Sequence, residues 1–452
     1  MTPVHVAHRV LLGLALCSAA AGSDLAGTSR EPAESKSSET APSVQSLLDA
    51  AVELIREGRS RAAMAALDQA ERLEPQNPWL WFYRGLAEHN LGNVCSAMES
   101  FDRATDLLAE FGNPDPPLTE AIGRHRREAR RQVLRLDYQV GLAYDTNVSF
   151  LGSTGSTLGI TSGRRDGKFG QMVDVHYSPV TRRDELLTIG GRLGHVWNFS
   201  VEEFNYQDYG ACVRYARMLA ERWELSLQYD YDINLLGNES FLSNHALTPG
   251  LRYHWQPTNS PVWLNETGVF YQLNGQEFLY PTEPEYDRDG LVHSVGVEQS
   301  LKYHPLPRTQ RTGDLSLGYR LDGVATEGRE FDRTDHNFYL GASLPLLNPL
   351  SPNDYLILPD KELILRFNVN WQLGDYRHWS LLDRYSRRRD DQITTYAFTV
   401  SQKILDHPDW GELTLHGMIN WTDARSNLLT SDWAEPYTYD KVVYGAQLQW
   451  TW

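Results

Sequence analysis

Four arginines stand close together late in the chain, Arg384, Arg387, Arg388 and Arg389, followed at once by Asp390 and Asp391. Guanidinium groups grip phosphate and carboxylate oxygens through paired hydrogen bonds. This segment is therefore a candidate contact for an anionic substrate or lipid headgroup, set against the plainer reading of solvated loop charge. An acidic cluster, Glu277, Glu283, Glu285, Asp287 and Asp289, is open to the same two readings. Catalytic signatures are absent: there is no G-x-S-x-G, no H-E-x-x-H and no phosphate-cradling glycine loop. Of the 14 histidines, His195, His254 and His416 read as structural, on the wet or the apolar side of a strand. Cys17, Cys95 and Cys212 show neither zinc spacing nor a disulfide framework. The expectation is a protein that is not an enzyme, with no cofactor and no metal site, although groups brought together only in space leave no trace in sequence.

The elements that position these residues alternate with period two. At the C-terminus Val442, Tyr444, Ala446, Leu448, Trp450 and Trp452 share one face, and Lys441, Val443, Gly445, Gln447, Gln449 and Thr451 the other. Near residue 134 the pattern is the same: Leu134, Leu136, Tyr138, Val140, Leu142 and Tyr144 against Arg135, Asp137, Gln139, Gly141, Ala143 and Asp145. It returns at 223–232, 314–322 and 363–372. A charged or amide side chain at every second position cannot sit in a dry core without partners. A water-filled lumen removes that penalty and lipid accepts the other face, which predicts a transmembrane antiparallel β-barrel over 133–452.

About fourteen strands fit, centred near 139, 173, 191, 212, 228, 249, 268, 297, 318, 339, 367, 397, 416 and 446. Long connections are expected after odd strands, at 146–167, 198–205, 233–243, 273–289, 323–332, 374–390 and 423–437. Short turns follow most even ones, at 182–184, 220–222, 256–261 and 407–409, with 346–360 a long exception. Long loops outside and short turns inside are the outer-membrane pattern. Other classes are excluded by composition. The net charge of -17 argues against nucleic acid. A mean hydropathy of -0.47 and no apolar run of membrane-spanning length exclude a bundle of spanning helices. The 13 Trp and 23 Tyr suit interfacial girdles.

Three segments precede the barrel. Residues 1–22 read as a secretory signal, with Arg9, the apolar run Val10–Leu16 and a cleavage site at Ala19–Ala21. Lipoprotein processing at Cys17 is the alternative. Residues 23–43, rich in Ser, Glu, Ala, Pro and Thr, read as a disordered linker. Residues 44–131 are helical with a 34-residue period: Gly58 returns as Gly92, Ala63 as Ala97, Leu67 as Phe101, Ala70 as Ala104 and Leu73 as Leu107. Ala51 is matched by Gly85, Trp81 holds the first large position of the second unit, and Pro75 closes the first. This resembles about two tetratricopeptide repeats, with a further helix near 117–131 carrying the run Arg124, Arg126, Arg127, Arg130 and Arg131. Such repeats offer a partner groove or serve as a spacer.

At the end of the first strand stands Tyr144-Asp145-Thr146-Asn147-Val148. Asp145 and Asn147 suit a tight bend there. The motif is also similar to one in the surface lipoprotein assembly modifier family, which sets tetratricopeptide-like repeats before a fourteen-stranded barrel; Thr146 replaces the usual Ser. The fold class expected from these segments is α+β multidomain, helical repeats followed by the barrel. The resemblance implies an outer-membrane protein with its repeats in the periplasm holding a client lipoprotein or other protein that the barrel passes outward. Candidate partner contacts are Trp81, Tyr144, Asp145, Asn147, Arg387, Arg388 and Arg389. Expected partners are the client, lipopolysaccharide and other outer-membrane lipids; the barrel itself is expected to be monomeric. Exopolysaccharide export and a plain porin or surface barrel are the competing functions.

Overall fold

The computed structural model describes residues 43–56, 59–110, 115–149, 164–182, 184–220, 222–256, 260–280, 282–304, 312–346, 363–407 and 410–452. The signal and almost all of the linker lie outside them, as do most of 146–167 and 346–360.

Five helices come first: α1 Val44–Arg56, α2 Ser60–Leu73, α3 Pro78–Asn90, α4 Val94–Glu110 and α5 Pro116–Val133. Local chemistry sets their starts. Asn77 accepts from the Trp79 amide at 3.0 Å with Pro78 in the first turn, and Asp115 does the same for Leu118 at 3.2 Å before Pro116. Gly92, at φ +77, turns the chain out of α3. The small residues of the 34-residue period, Ala51, Ala63, Ala70, Ala97 and Ala104, are all fully buried. At Gly85 a Cβ would lie 2.5 Å from the Phe101 ring. Glycine there lets α3 lie directly on the largest fully buried side chain among the described residues. Arg84 ties α3 to α2 through Asp68 and Glu71, and reaches Glu88 on its own helix.

Fourteen strands follow: β1 Leu134–Asp145, β2 Asp166–Arg182, β3 Glu185–Asn198, β4 Tyr206–Ala220, β5 Trp223–Leu236, β6 Glu239–His254, β7 Val262–Phe278, β8 Gly290–Tyr303, β9 Gly313–Thr326, β10 Arg333–Leu346, β11 Leu363–Trp379, β12 Arg388–His407, β13 Gly411–Ser426 and β14 Tyr439–Thr451. Every strand pairs antiparallel with its sequence neighbours, and β1 pairs with β14 to close the barrel. The strands are tilted. Following partners from Leu134 at the start of β1 leads through Tyr177, Ile189, Val213, Tyr229, Leu247, Leu273, His293, Gly323 and Thr334 to Asp375, near the far end of β11. That climb is the stagger a closed barrel requires.

Outward positions are apolar and open, among them Leu142 at 58 %, Leu193 at 54 % and Val295 at 57 % exposure. Inward positions are polar and paired. Arg192 bridges Asp208 at 2.6 Å and Asp232 at 2.7 Å. Glu224 lies 3.1 Å from Arg214 and 3.5 Å from Arg252. Asp322 meets Arg320 and Asn337. The alternation read from sequence is thus a lipid face and a wet face, and the chain is a barrel of the outer-membrane type.

Several predicted loops are shorter than expected, with 273–289 reduced to 279–289, 323–332 to 327–332 and 423–437 to 427–438, and two change most. The segment 233–243 is no long loop: β5 and β6 run on to a two-residue turn, with Gly237 at φ +58 and Asn238 at φ +70. A Gly-Asn pair tolerates the left-handed conformation that such a turn requires at both positions. The segment 374–390 shortens to 380–387, because β11 continues to Trp379 and β12 begins at Arg388.

Candidate functional site

Three features stand out in the barrel: the seam where β1 meets β14, the end carrying the long loops, and the opposite end, where the helices sit.

The seam is the shortest ladder, Asp137–Asp145 against Val443–Thr451. Glycines bring its two strands close. A Cβ on Gly445 would lie 2.3 Å from the Leu142 carbonyl oxygen, and one on Gly141 2.7 Å from that of Ala446. Two polar devices pin it from inside. Thr451 donates to Asp137 at 2.6 Å. At the loop end Asp145, buried to 1 % exposure, accepts from Lys441 of β14 at 2.9 Å and Lys168 of β2 at 3.0 Å. The Asn147 amide donates to the same carboxylate at 3.0 Å. One carboxylate thus joins β1, β2 and β14. Outside, Tyr144 and Tyr444 pack with ring centroids 5.6 Å apart.

At the loop end the connections of the β7–β14 side are knitted together. The Gly328 amide donates to the Asp287 carbonyl at 2.9 Å. Glu330, buried to 4 %, accepts from Ser380 and the Leu381 amide. Asp383 takes a bidentate bond from Arg387 and the amides of Tyr385 and Leu429, joining the β11–β12 and β13–β14 loops. Burial would raise the Asp383 carboxyl; the Arg387 guanidinium and those amides outweigh it and hold it well below the usual carboxylate range. Arg384 lies 4.0 Å from the centre of the Trp433 ring.

Below these loops Arg389 points into the lumen. This side chain, only 6 % exposed, pairs with Asp391 at 2.6 Å and lies 3.4 Å from the Tyr437 ring and 4.5 Å from that of Tyr376. Arg333, paired with Asp335 at 2.9 Å, and Arg288, 4.1 Å from the Phe331 ring, complete the wall of a cavity of about 270 Å³. A larger cavity of about 510 Å³ lies deeper in the lumen, lined by Arg252, Glu266, Phe270, Arg320, Asn337 and Tyr339 among others.

The helices meet the barrel at the end where β1 begins and β14 finishes. α5 passes directly into β1. Arg131 donates to the carbonyl of His407, the last residue of β12, at 3.1 Å, and Arg130 lies 4.8 Å from the ring of Trp452. Cys95 of α4 approaches the Pro179 carbonyl of β2. The helical unit therefore touches the barrel on both sides of the seam. Of the basic run on α5, Arg130 and Arg131 make these contacts, while Arg126 pairs with Asp102 of α4 and Arg124 with Glu120 of α5 itself.

The sequence candidates are thereby separated. Asp145 and Asn147 form the seam clamp, while Tyr144 faces outward beside it. Arg387, Arg388 and Arg389 do not form one patch. Arg387 closes the loop clasp, Arg388 opens β12 on the outer face, and Arg389 points into the lumen. Trp81 is half-buried in the helical unit, donating to the Pro75 carbonyl at 2.8 Å. His254 sits between Glu224 and Glu266, and His416 between Ser401 and Gln449, both in the lumen. His195 faces outward, bonded to Tyr209. No group of three His, Cys, Asp or Glu suited to a metal occurs among the described residues. Lys168, Lys441, Arg288, Tyr376 and Tyr437 were not singled out by sequence. Lys441 alone left a signal, as the charged residue on the wet face of the last strand.

No protein-family model matches the sequence, and no curated protein matches it. Solved structures are similar in outline. A structure titled bacterial polysaccharide outer membrane secretin is 10% identical, with 70% of this chain and 98% of that one covered, at a TM-score of 0.35. CdiB from Acinetobacter baumannii is 8% identical over 70% of this chain and 60% of its own, at 0.33. An anion-selective porin from Comamonas acidovorans is 8% identical over 71% and 98%, at 0.34. Likeness at this level carries no argument; the fold rests on the register and the two faces described above.

Proposed function

We propose that this outer-membrane barrel moves protein cargo to the cell surface, with surface lipoproteins as the client class and the helical unit as the receiving module in the periplasm. One observation carries the reading: the helices meet both sides of the shortest ladder in the barrel, running into β1 and touching β2 on one side and reaching Trp452 after β14 on the other. A client held there stands at the point where strands separate most readily, and a freed strand edge pairs with an extended chain through backbone hydrogen bonds. The client class comes from the family resemblance at Tyr144–Val148 and from helices preceding a fourteen-stranded barrel. The test is protease shaving of intact cells with and without the gene, reading every lipoprotein by mass spectrometry. Loss of surface exposure of one or a few lipoproteins at constant total level is expected; unchanged exposure refutes the reading.

A second reading, a channel for hydrophilic solutes, is favoured by the charged cavity of about 510 Å³ in the lumen. Single-channel conductance of the full-length protein in planar bilayers distinguishes it, since a barrel serving only cargo release conducts little at rest.

A further inference from the structure

We infer that the cavity of about 270 Å³ beneath the knitted loops is a binding site for a carboxylate-bearing sugar. The inference goes beyond the cargo reading and stands or falls separately from it.

Charge comes first. Three guanidiniums, of Arg288, Arg333 and Arg389, line the cavity. Two are already matched, Arg333 by Asp335 and Arg389 by Asp391. Arg288 has no carboxylate partner among the described residues; its contacts are the rings of Phe331 at 4.1 Å and Phe278 at 5.8 Å. The neighbouring acids are turned to the backbone, Asp289 accepting from the Phe278 amide at 2.5 Å and Asp287 from the Asp289 amide at 2.9 Å. The cavity is left with one unmatched positive charge. That suits a carboxylate, and a phosphate dianion would leave one negative charge uncompensated.

Shape and polarity come second. Phe278 and Tyr437, both only partly buried, line the cavity with aromatic surface against which the C–H face of a sugar packs, while Phe331 and Tyr376 are buried behind the arginines. The side-chain amides of Gln276 and Gln372 also line the cavity and make no hydrogen bond to another described residue. They leave donors and acceptors for hydroxyl groups. An unmatched guanidinium, two open amides and flanking rings in one lumenal cavity fit a hexuronate unit.

The test uses the full-length protein in detergent, titrated calorimetrically with glucuronate, glucose and glucose 6-phosphate. Glucuronate binds the native protein, and Arg288→Gln weakens it about tenfold or more, the loss expected for one charge-assisted bidentate contact. Gln276→Leu, which keeps the bulk and removes the amide, weakens it about fivefold. Glucose binds at least tenfold more weakly than glucuronate. Heat-modifiable electrophoretic migration confirms that each variant is a closed barrel. Absence of glucuronate binding to the native protein, unchanged affinity in Arg288→Gln, or tighter binding of glucose 6-phosphate overturns the proposal.

Discussion

A disulfide across the seam separates a barrel that opens sideways from one that does not. Gln139 and Gln449 face each other in the register of β1 and β14. Leu136 and Trp452 exchange both backbone hydrogen bonds at 2.8 Å, so the pairs at 138–450 and 140–448 are hydrogen-bonded as well. The pair 139–449 falls between them. Such a non-hydrogen-bonded pair holds its Cα atoms about 4.5 Å apart, within the range a disulfide spans. Both side chains face the lumen, where oxidant and reductant reach them.

The magnitude comes from the ladder itself. The nine register pairs, with the flanking Leu136–Trp452 and Thr146–Val442 contacts, carry about eleven backbone hydrogen bonds. In an apolar surrounding each is worth about 4–6 kcal/mol, so full unzipping against lipid costs roughly 45–65 kcal/mol. Where water replaces the bonds, the net figure falls to roughly 5–16 kcal/mol. Lateral opening therefore requires a substitute partner, and an extended cargo segment supplies one. With Gln139→Cys and Gln449→Cys combined and oxidised, surface delivery is expected to stop and to return on reduction, while either single variant delivers normally. The assay is the shaving experiment, with heat-modifiable migration showing that the barrel has assembled. Native-level delivery by the oxidised, fully crosslinked barrel refutes the seam as the exit.

Three further outcomes follow from the packing. Phe101→Ala removes the largest fully buried ring under Gly85 and is expected to cost the helical unit about 3–5 kcal/mol; limited proteolysis should then cleave within 44–133 while the barrel stays heat-modifiable. Asp383→Asn breaks the clasp to Arg387, so hydrogen exchange across 380–387 and 427–434 should rise at pH 7. Because the Asp383 carboxyl is depressed, its contribution is present above the ordinary aspartate value of about 3.9 and is lost as pH falls below it; the native clasp should loosen only in that acid range. Burial lowers the His125 imidazole against Phe82 and Phe101, with His89 and Arg124 adding to the effect and Glu128 opposing it. Its contribution is therefore present above the ordinary histidine value near 6.5 and lost as pH falls. Proteolytic resistance of the helical unit should decline between about pH 7 and pH 5, and His125→Phe should flatten that slope. Burial also raises the Glu88 carboxyl despite Ser100 and Arg84, and its contribution is lost in the opposite direction, as pH rises.

Much of the architecture was legible because it is written in periods. The two-residue alternation from Leu134 onward placed every strand centre inside an observed strand, since a one-residue slip would turn charge toward lipid. Helical content before the barrel was legible from the apolar spacing, and Asp145 as a bend residue from its neighbours. The hairpin at Gly237–Asn238 was misread although its residues carry the turn signal, because polar strand residues on the wet face look like loop. The arginine run was misread for a related reason. Adjacent residues in a strand point to opposite sides, so Arg388 and Arg389 cannot form one patch.

By itself, then, the sequence determined a polar face, an apolar face and the number of times they repeat, because these depend only on residue order along each strand. What brings Asp145 to Lys168 and Lys441, Tyr437 over Arg389, and Arg130 onto Trp452 is closure of the barrel and the folding of its loops. Those contacts join residues as much as 322 positions apart, a distance over which neither period nor propensity carries information. The seam, the cavity under the loops and the unmatched charge on Arg288 exist only once the tertiary structure has set which groups face one another across the lumen.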